Sequence, residues 1–183
     1  NFGITLGPQV TVVWKYTTAL DFLTAEVTLV IPPTYAVSAA NPVWYYHVFD
    51  TYLGGSDNGC GFQLIDSNGK RVVGTYPPAS GTNCPSSTSI PTGVSVVESF
   101  RERSGLTFSN YCASGWSSFW INGSTNCSIL QSTNMSNNIA TTFQDTGIGI
   151  QYNFTAAGTY TFSYDFVVGS PLIPPYDHLE IRH

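Results

Sequence analysis

Apolar residues recur at every second position along most of this chain, and that spacing commits it to strands. Val10, Val12, Trp14 and Tyr16 fall on one side of an extended segment, with Thr11 and Lys15 on the other. Ala25, Val27, Leu29 and Ile31 repeat the pattern against Glu26 and Thr28. Pro32-Pro33 then stops pairing, because proline offers no N–H to a ladder. Residues 43–49 (Val-Trp-Tyr-Tyr-His-Val-Phe) are apolar or aromatic on both faces and read as a central strand. Residues 62–65 and 71–76 flank Ser67-Asn68-Gly69-Lys70, where Asn-Gly supplies the positive φ angles of a two-residue hairpin turn. Val94, Val96, Glu98 and Phe100 continue the series, followed by residues 106–108 and 116–121. The clearest pair comes late. Ile148, Ile150, Tyr152 and Phe154 alternate, Gly158 turns the chain, and Tyr160, Phe162, Tyr164, Phe166 and Val168 alternate again. Leu179 and Ile181 form a last short strand.

Roughly ten to twelve strands separated by Gly, Pro, Asn and Ser turns predict an all-β fold. The expected architecture is a two-sheet antiparallel β-sandwich, Ig-like or jelly-roll in connectivity. Only residues 94–103 and 137–144 leave room for a short helix, so a parallel α/β fold lacks its crossover helices. A chain of 183 residues fits one such domain, expected over residues 9–183, and no internal repeat divides it. Residues 1–8 read separately. Phe2, Ile4 and Leu6 alternate with Gly3 and Thr5, and Gly7-Pro8 detaches this apolar arm from the strand that follows. Such an arm is either the bent start of the domain's own edge strand or a strand added to a neighbouring subunit.

A fold of this kind must cover its outer faces with something polar, yet charged residues are only 9% of the chain. Soluble domains carry about 25%. Four N-glycosylation sequons offer another cover: Asn122-Gly-Ser124, Asn126-Cys-Ser128, Asn134-Met-Ser136 and Asn153-Phe-Thr155. Three of them lie within the uncharged, Ser- and Asn-rich run 122–138. Asn153 shares a strand face with Gln151, opposite Tyr152 and Phe154, as a glycosylated residue requires. Asn126 is expected to be partly occupied or empty, because Cys127 fills the middle of its sequon. N-linked glycans are therefore expected on a secreted protein.

The cysteines agree with that compartment. Cys60, Cys84, Cys112 and Cys127 are an even set, which suggests two disulfides with three possible connectivities. Pairing Cys60 with Cys84 and Cys112 with Cys127 closes two short Ser- and Gly-rich loops, each bridge contributing about 3 kcal/mol.

Several function classes fall away. Six Lys and Arg and a net charge of -5 leave no footprint for nucleic acid or for a basic membrane-surface helix. No apolar run approaches the ~18 residues of a membrane span. Asn1-Phe2-Gly3-Ile4 has no basic leader character, so any signal peptide is expected to have been removed. There is no Gly-x-Ser-x-Gly elbow, His-Glu-x-x-His or P-loop. No Cys or His spacing suits zinc, and Asp57-Asn58-Gly59 and Asp66-Ser67-Asn68-Gly69 read as turns. Carboxylate pairs such as Asp50 with Asp165, or Glu98 with Asp145, could serve a glycosidase only at the right separation. His47 reads as a sheet-face residue; His178 and His183 sit near Asp177 and Glu180 with no nucleophile beside them. No enzyme, cofactor or metal is expected.

The leading expectation is a secreted, glycosylated structural or adhesive protein, a homo-oligomer assembled through Phe2, Ile4 and Leu6. The alternative is a jelly-roll lectin in which Trp116, Trp120 and Tyr111 stack on sugars. A glycoside-active enzyme comes third.

Overall fold

A computed structural model describes residues 7–17, 20–78, 84–121, 127–130 and 134–170. Among them run nine strands: β1 (Gln9–Tyr16), β2 (Phe22–Ile31), β3 (Val43–Asp50), β4 (Asn58–Ile65), β5 (Arg71–Tyr76), β6 (Val97–Ser104), β7 (Asn110–Gly115), β8 (Gln144–Phe154) and β9 (Gly158–Gly169). All strand pairs are antiparallel, in the order β1-β2-β9-β6-β5-β4-β8-β3, with β7 also paired to β8. The all-β expectation holds, but the sheet is one curled half-barrel and not two separate sheets. The reason lies in β8. Its first residues reach β4 through Asn58↔Asp145 and Gly59↔Gln144, while the rest pairs with β3 on one side and β7 on the other. One strand thus serves both wings.

Among the described residues, two of the segments expected to be strands take other forms for local reasons. Residues 106–108 form a loop, and 116–121 give a 3-10 turn, Trp116–Phe119. Trp116 and Phe119, three apart, share one side of that turn and pack down together on β8. Residues 94–103 are no helix; β6 begins at Val97. The strand expected at Leu179 and Ile181 lies outside the described residues. At the β4–β5 hairpin only Gly69 takes positive φ, at 74°, and the loop is not a two-residue turn. Instead the Asp66 carboxylate accepts the N–H groups of Asn68 and Lys70, both at 2.8 Å.

The core lies inside the curl. Ala25, Val27, Leu29 and Ile31 of β2 and Phe162, Tyr164 and Phe166 of β9 face Ile148, Ile150, Tyr152 and Phe154 of β8. Rings from the two wings interlock, with Tyr152 and Phe162 centroids 4.0 Å apart and Phe49 and Phe166 4.5 Å apart. Burying side chains of this size contributes about 1.5–3 kcal/mol each.

Each wing also has an overlay on its outer face. Over β4 and β5, Cys84, Ile90 and Val94 cover Cys60, Phe62, Val72 and Tyr76. Gln63 N–H donates to Ser87 O, and Tyr76 OH to Ser86 O, both at 2.8 Å. Over β3, β7 and β8, Phe119, Cys127, Ile129 and Met135 cover Tyr46, Val48 and Cys112. Gly147 and Gly149 make room for that layer. A Cβ on Gly149 would lie 2.6 Å from Phe119 Cε1 and 2.9 Å from Met135 Cε. The disulfides Cys60–Cys84 and Cys112–Cys127, Cα atoms 5.4 and 5.7 Å apart, pin the two overlays. This is the pairing that loop length favours.

Candidate functional site

The curl leaves two ends, and β1 is one of them. Its eight residues pair with β2 in unbroken register from Gln9↔Val30 to Tyr16↔Leu23. No described residue pairs with its other side. Strands in that position are normally blunted by charge, proline or a bulge. β1 contains no proline and no bulge, and its single charged residue, Lys15, is held 2.6 Å from Glu26 Oε1. Large apolar side chains stay open along it: Tyr16 is 62% exposed, Val10 52%, Val13 48% and Trp14 45%. Val10, Val12, Trp14 and Tyr16 share the core-facing side, as their alternation predicts, but only Val12 is partly covered. The wing opposite ends at β3, and Val10, Trp14 and Tyr16 remain exposed.

Aromatic side chains bridge the gap between the two ends. The Trp14 indole meets the His47 imidazole of β3 with centroids 5.6 Å apart, and the Tyr164 ring at 6.3 Å. Tyr164 OH shares hydrogen bonds with Tyr45 OH at 2.7 Å and with His47 Nδ1 at 2.9 Å. Burial lowers the His47 pKa to about 4, so the ring is neutral at ordinary pH. Burial likewise raises the Tyr164 and Tyr45 hydroxyls. This network is a neutral hydrogen-bonded closure. No nucleophile is activated in it.

A second cluster lies on the outer face of β8. Asn134 Oδ1 accepts hydrogen bonds from Gln151 Nε2 at 2.7 Å, Asn153 Nδ2 at 2.8 Å and Trp44 Nε1 at 3.4 Å. Gln151 Oε1 in turn accepts the Met135 N–H at 2.7 Å. The face assignment of Gln151 and Asn153 is as the alternation predicts, but this face is not open to solvent. Gln151 is fully buried and Asn153 half-buried, because residues 134–140 lie across it. Asn137, at φ 57°, bends that segment so that its Oδ1 takes the Tyr111 N–H at 2.9 Å. Two sequon asparagines, 19 residues apart in the chain, thus touch. Beside them a groove of about 460 Å³ runs between Ala39–Trp44 and the two asparagines.

The other expected residues are scattered. Tyr111, grouped with Trp116 and Trp120 as a sugar platform, is on the inner face of β7 beneath the Arg71 guanidinium, 4.9 Å from its ring centroid. Period-2 geometry puts it on the side opposite Cys112, and the overlay bearing the tryptophans covers that other side. Trp116 and Trp120 meet edge to face, at 85°, and offer no common flat surface. Phe2, Ile4 and Leu6 of the arm, Asn122, Asn126, His178 and His183 lie outside the described residues.

Asp165 and Glu98 are committed to structural contacts. Asp165, fully buried, accepts Thr24 Oγ1 at 2.6 Å, Arg101 Nη2 at 2.6 Å and Arg103 Nη1 at 3.1 Å. Glu98 accepts the Tyr52 N–H at 3.1 Å. Among the described residues no group of three or more His, Cys, Asp or Glu is placed to hold a metal ion, and no helix is long and apolar enough to cross a membrane. Sequence reading missed Trp44, the Asn134–Asn153 contact and the Asp165 ion pairs. Only Trp44 left a signal, since it shares its strand parity with Tyr46 and Val48 on the outward face. No protein family, curated protein or solved structure matches the chain.

Proposed function

We propose that this chain is a secreted, N-glycosylated structural or adhesive protein that associates with copies of itself by strand addition, building an extracellular coat or filament. It performs no catalysis in this reading. The observation that carries it is the β1 edge: eight residues without a blocking device, flanked by exposed Val10, Val13, Trp14 and Tyr16. The arm residues Phe2, Ile4 and Leu6 of one copy have the strand periodicity to pair with such an edge on the next. A head-to-tail contact of this kind repeats into a filament unless rotation closes it into a ring. Two disulfides fit an oxidising compartment, and glycans would supply the polar cover that scarce charge does not. The lectin alternative gains nothing from Tyr111, Trp116 and Trp120, whose rings do not converge.

Size measurement over a range of protein concentrations tests the proposal. The full chain is expected to form large, concentration-dependent assemblies. Deleting residues 1–7, changing Ile4→Asp, or placing a charge on the edge with Val13→Lys should each leave monomers of unchanged melting temperature. Monomeric full-length protein, or equal assembly by all three variants, would defeat it.

A further inference from the structure

We infer that the Asn134–Asn153 pair carries a single N-linked glycan, attached to Asn134, whose first N-acetylglucosamine lies in the groove floored by Trp44, while Asn153 stays an unmodified hydrogen-bond donor. This rests on the secretory reading above and goes further, because the sequence alone makes both sequons equal candidates.

The assignment follows from what each amide nitrogen is doing. Asn134 is exposed, and all three of its side-chain hydrogen bonds end on Oδ1. The Nδ2 atom of the same amide has no hydrogen-bond partner among the described residues. Asn153 is the reverse. It is half-buried in β8, its Nδ2 donates to Asn134, and its Oδ1 accepts from Gln151 Nε2. A pyranose on that nitrogen leaves it a single hydrogen to donate and has to be fitted beside the Asn134 side chain, 2.8 Å away. It also disturbs Gln151, which is fully buried and has its two amide atoms committed to Met135, Asn134 and Asn153. Leaving such buried polar atoms without partners destabilises the fold. Chains modified at Asn153 therefore fold less well, and the folded, secreted population is enriched in chains modified at Asn134.

The groove suits a sugar. Its walls are Ala39, Asn41 and Pro42 on one side and Asn134 and Asn153 on the other, with the partly exposed Trp44 indole between them. An indole offers an apolar surface to the carbon-bound hydrogens of a pyranose, and nearby amides can bond its N-acetyl and hydroxyl groups. In the covalent step, the donor is an oligosaccharide on a polyprenyl diphosphate, supplied with its transferase by the secretory pathway. A bond forms between Asn134 Nδ2 and the anomeric carbon, the anomeric C–O bond to the diphosphate breaks, and the polyprenyl diphosphate leaves with that electron pair. The amide loses one proton to a base.

The test uses full-length protein secreted from eukaryotic cells, with each sequon mapped by glycopeptide mass spectrometry. Ser136→Ala removes the Asn134 sequon and Thr155→Ala the Asn153 sequon, both without touching the asparagines. Asn134 is expected to be occupied and Asn153 bare in the unaltered protein. Ser136→Ala should remove one glycan and Thr155→Ala none. Release of the Asn134 glycan from native protein by an amidase should quicken several-fold in Trp44→Ala. A glycan on Asn153 of folded protein, or glycans at Asn122 with Asn134 bare, would overturn the assignment and leave the glycoprotein reading standing. An unchanged release rate in Trp44→Ala would overturn the groove placement. No glycan at any sequon would bring down both this inference and the secretory reading.

Discussion

Trp14 and His47 meet edge to face at 5.6 Å across the gap between the two end strands of the sheet, β1 and β3, which share no ladder. A closed barrel would use backbone hydrogen bonds at that place. Here side chains hold the ends near each other.

Trp14→Ala should therefore loosen one end of the sheet and leave the rest intact. The loss of two ring contacts predicts a modest destabilisation, about 1–2 kcal/mol. Hydrogen exchange should quicken along β1 and the outer half of β2, with β8 and β9 unchanged. Uniform quickening through the whole molecule would show that β1 is no separate unit.

His47 also sets a pH dependence. An unperturbed imidazole takes up its proton near 6.5, and burial moves that to about 4 in the fold. Between those values the unfolded chain binds more protons, so stability is full above pH 6.5 and declines as pH falls towards 4. The loss from this group is at most about 3 kcal/mol, less where water reaches the ring. Burial raises Glu98 and Asp50, which act in the opposite sense over the acid range. His47→Gln keeps a polar partner for Tyr164 and removes the titration. Melting curves from pH 7 to pH 4 should thus fall more steeply for the unaltered protein than for the variant, and parallel curves would refute the assignment.

Asp165→Asn removes the buried carboxylate that pairs with the Arg101 and Arg103 guanidiniums. Burial lowers the Arg101 pKa while Asp165 supports it, so the charge is maintained by its neighbour. Breaking one side of such a pair costs about 3–5 kcal/mol. Urea unfolding should show that loss in the midpoint at an unchanged slope; a shift under 1 kcal/mol, on the scale of about 1 kcal/mol for an exposed pair, would contradict the buried description.

Gly149→Val tests the overlay. Its first carbon alone would press within 2.6–3.0 Å of Phe119, Met135 and Val48. Overpacking of this kind costs about 1–3 kcal/mol. The expected signature is local: faster protease cleavage between residues 116 and 135, and faster reduction of Cys112–Cys127 than of Cys60–Cys84. Equal reduction rates would argue against it.

Strands were legible wherever one face meets the core and the other does not, as in Ile148 to Phe154. Period two is then written directly by burial. It misled where local chemistry competes: Trp116-Ser-Ser-Phe119 has apolar ends that suit either a strand or a 3-10 turn, and the glycines of β8 that accept it are distant in sequence. The closure of the sheet was also hidden. Whether β8 stops at one wing or reaches β4 depends on Asn58, Gly59, Gln144 and Asp145, none of which carries an apolar signal. The amide cluster was half visible. Parity placed Gln151 and Asn153 together, but the Asn134 contact spans a loop that periodicity does not describe.

An open curl has two unlike ends. This sheet terminates in β1 and β3, which differ in sequence, in exposure and in what lies behind them. A strand added at β1 would meet other side chains than one added at β3, so neither end could stand in for the other.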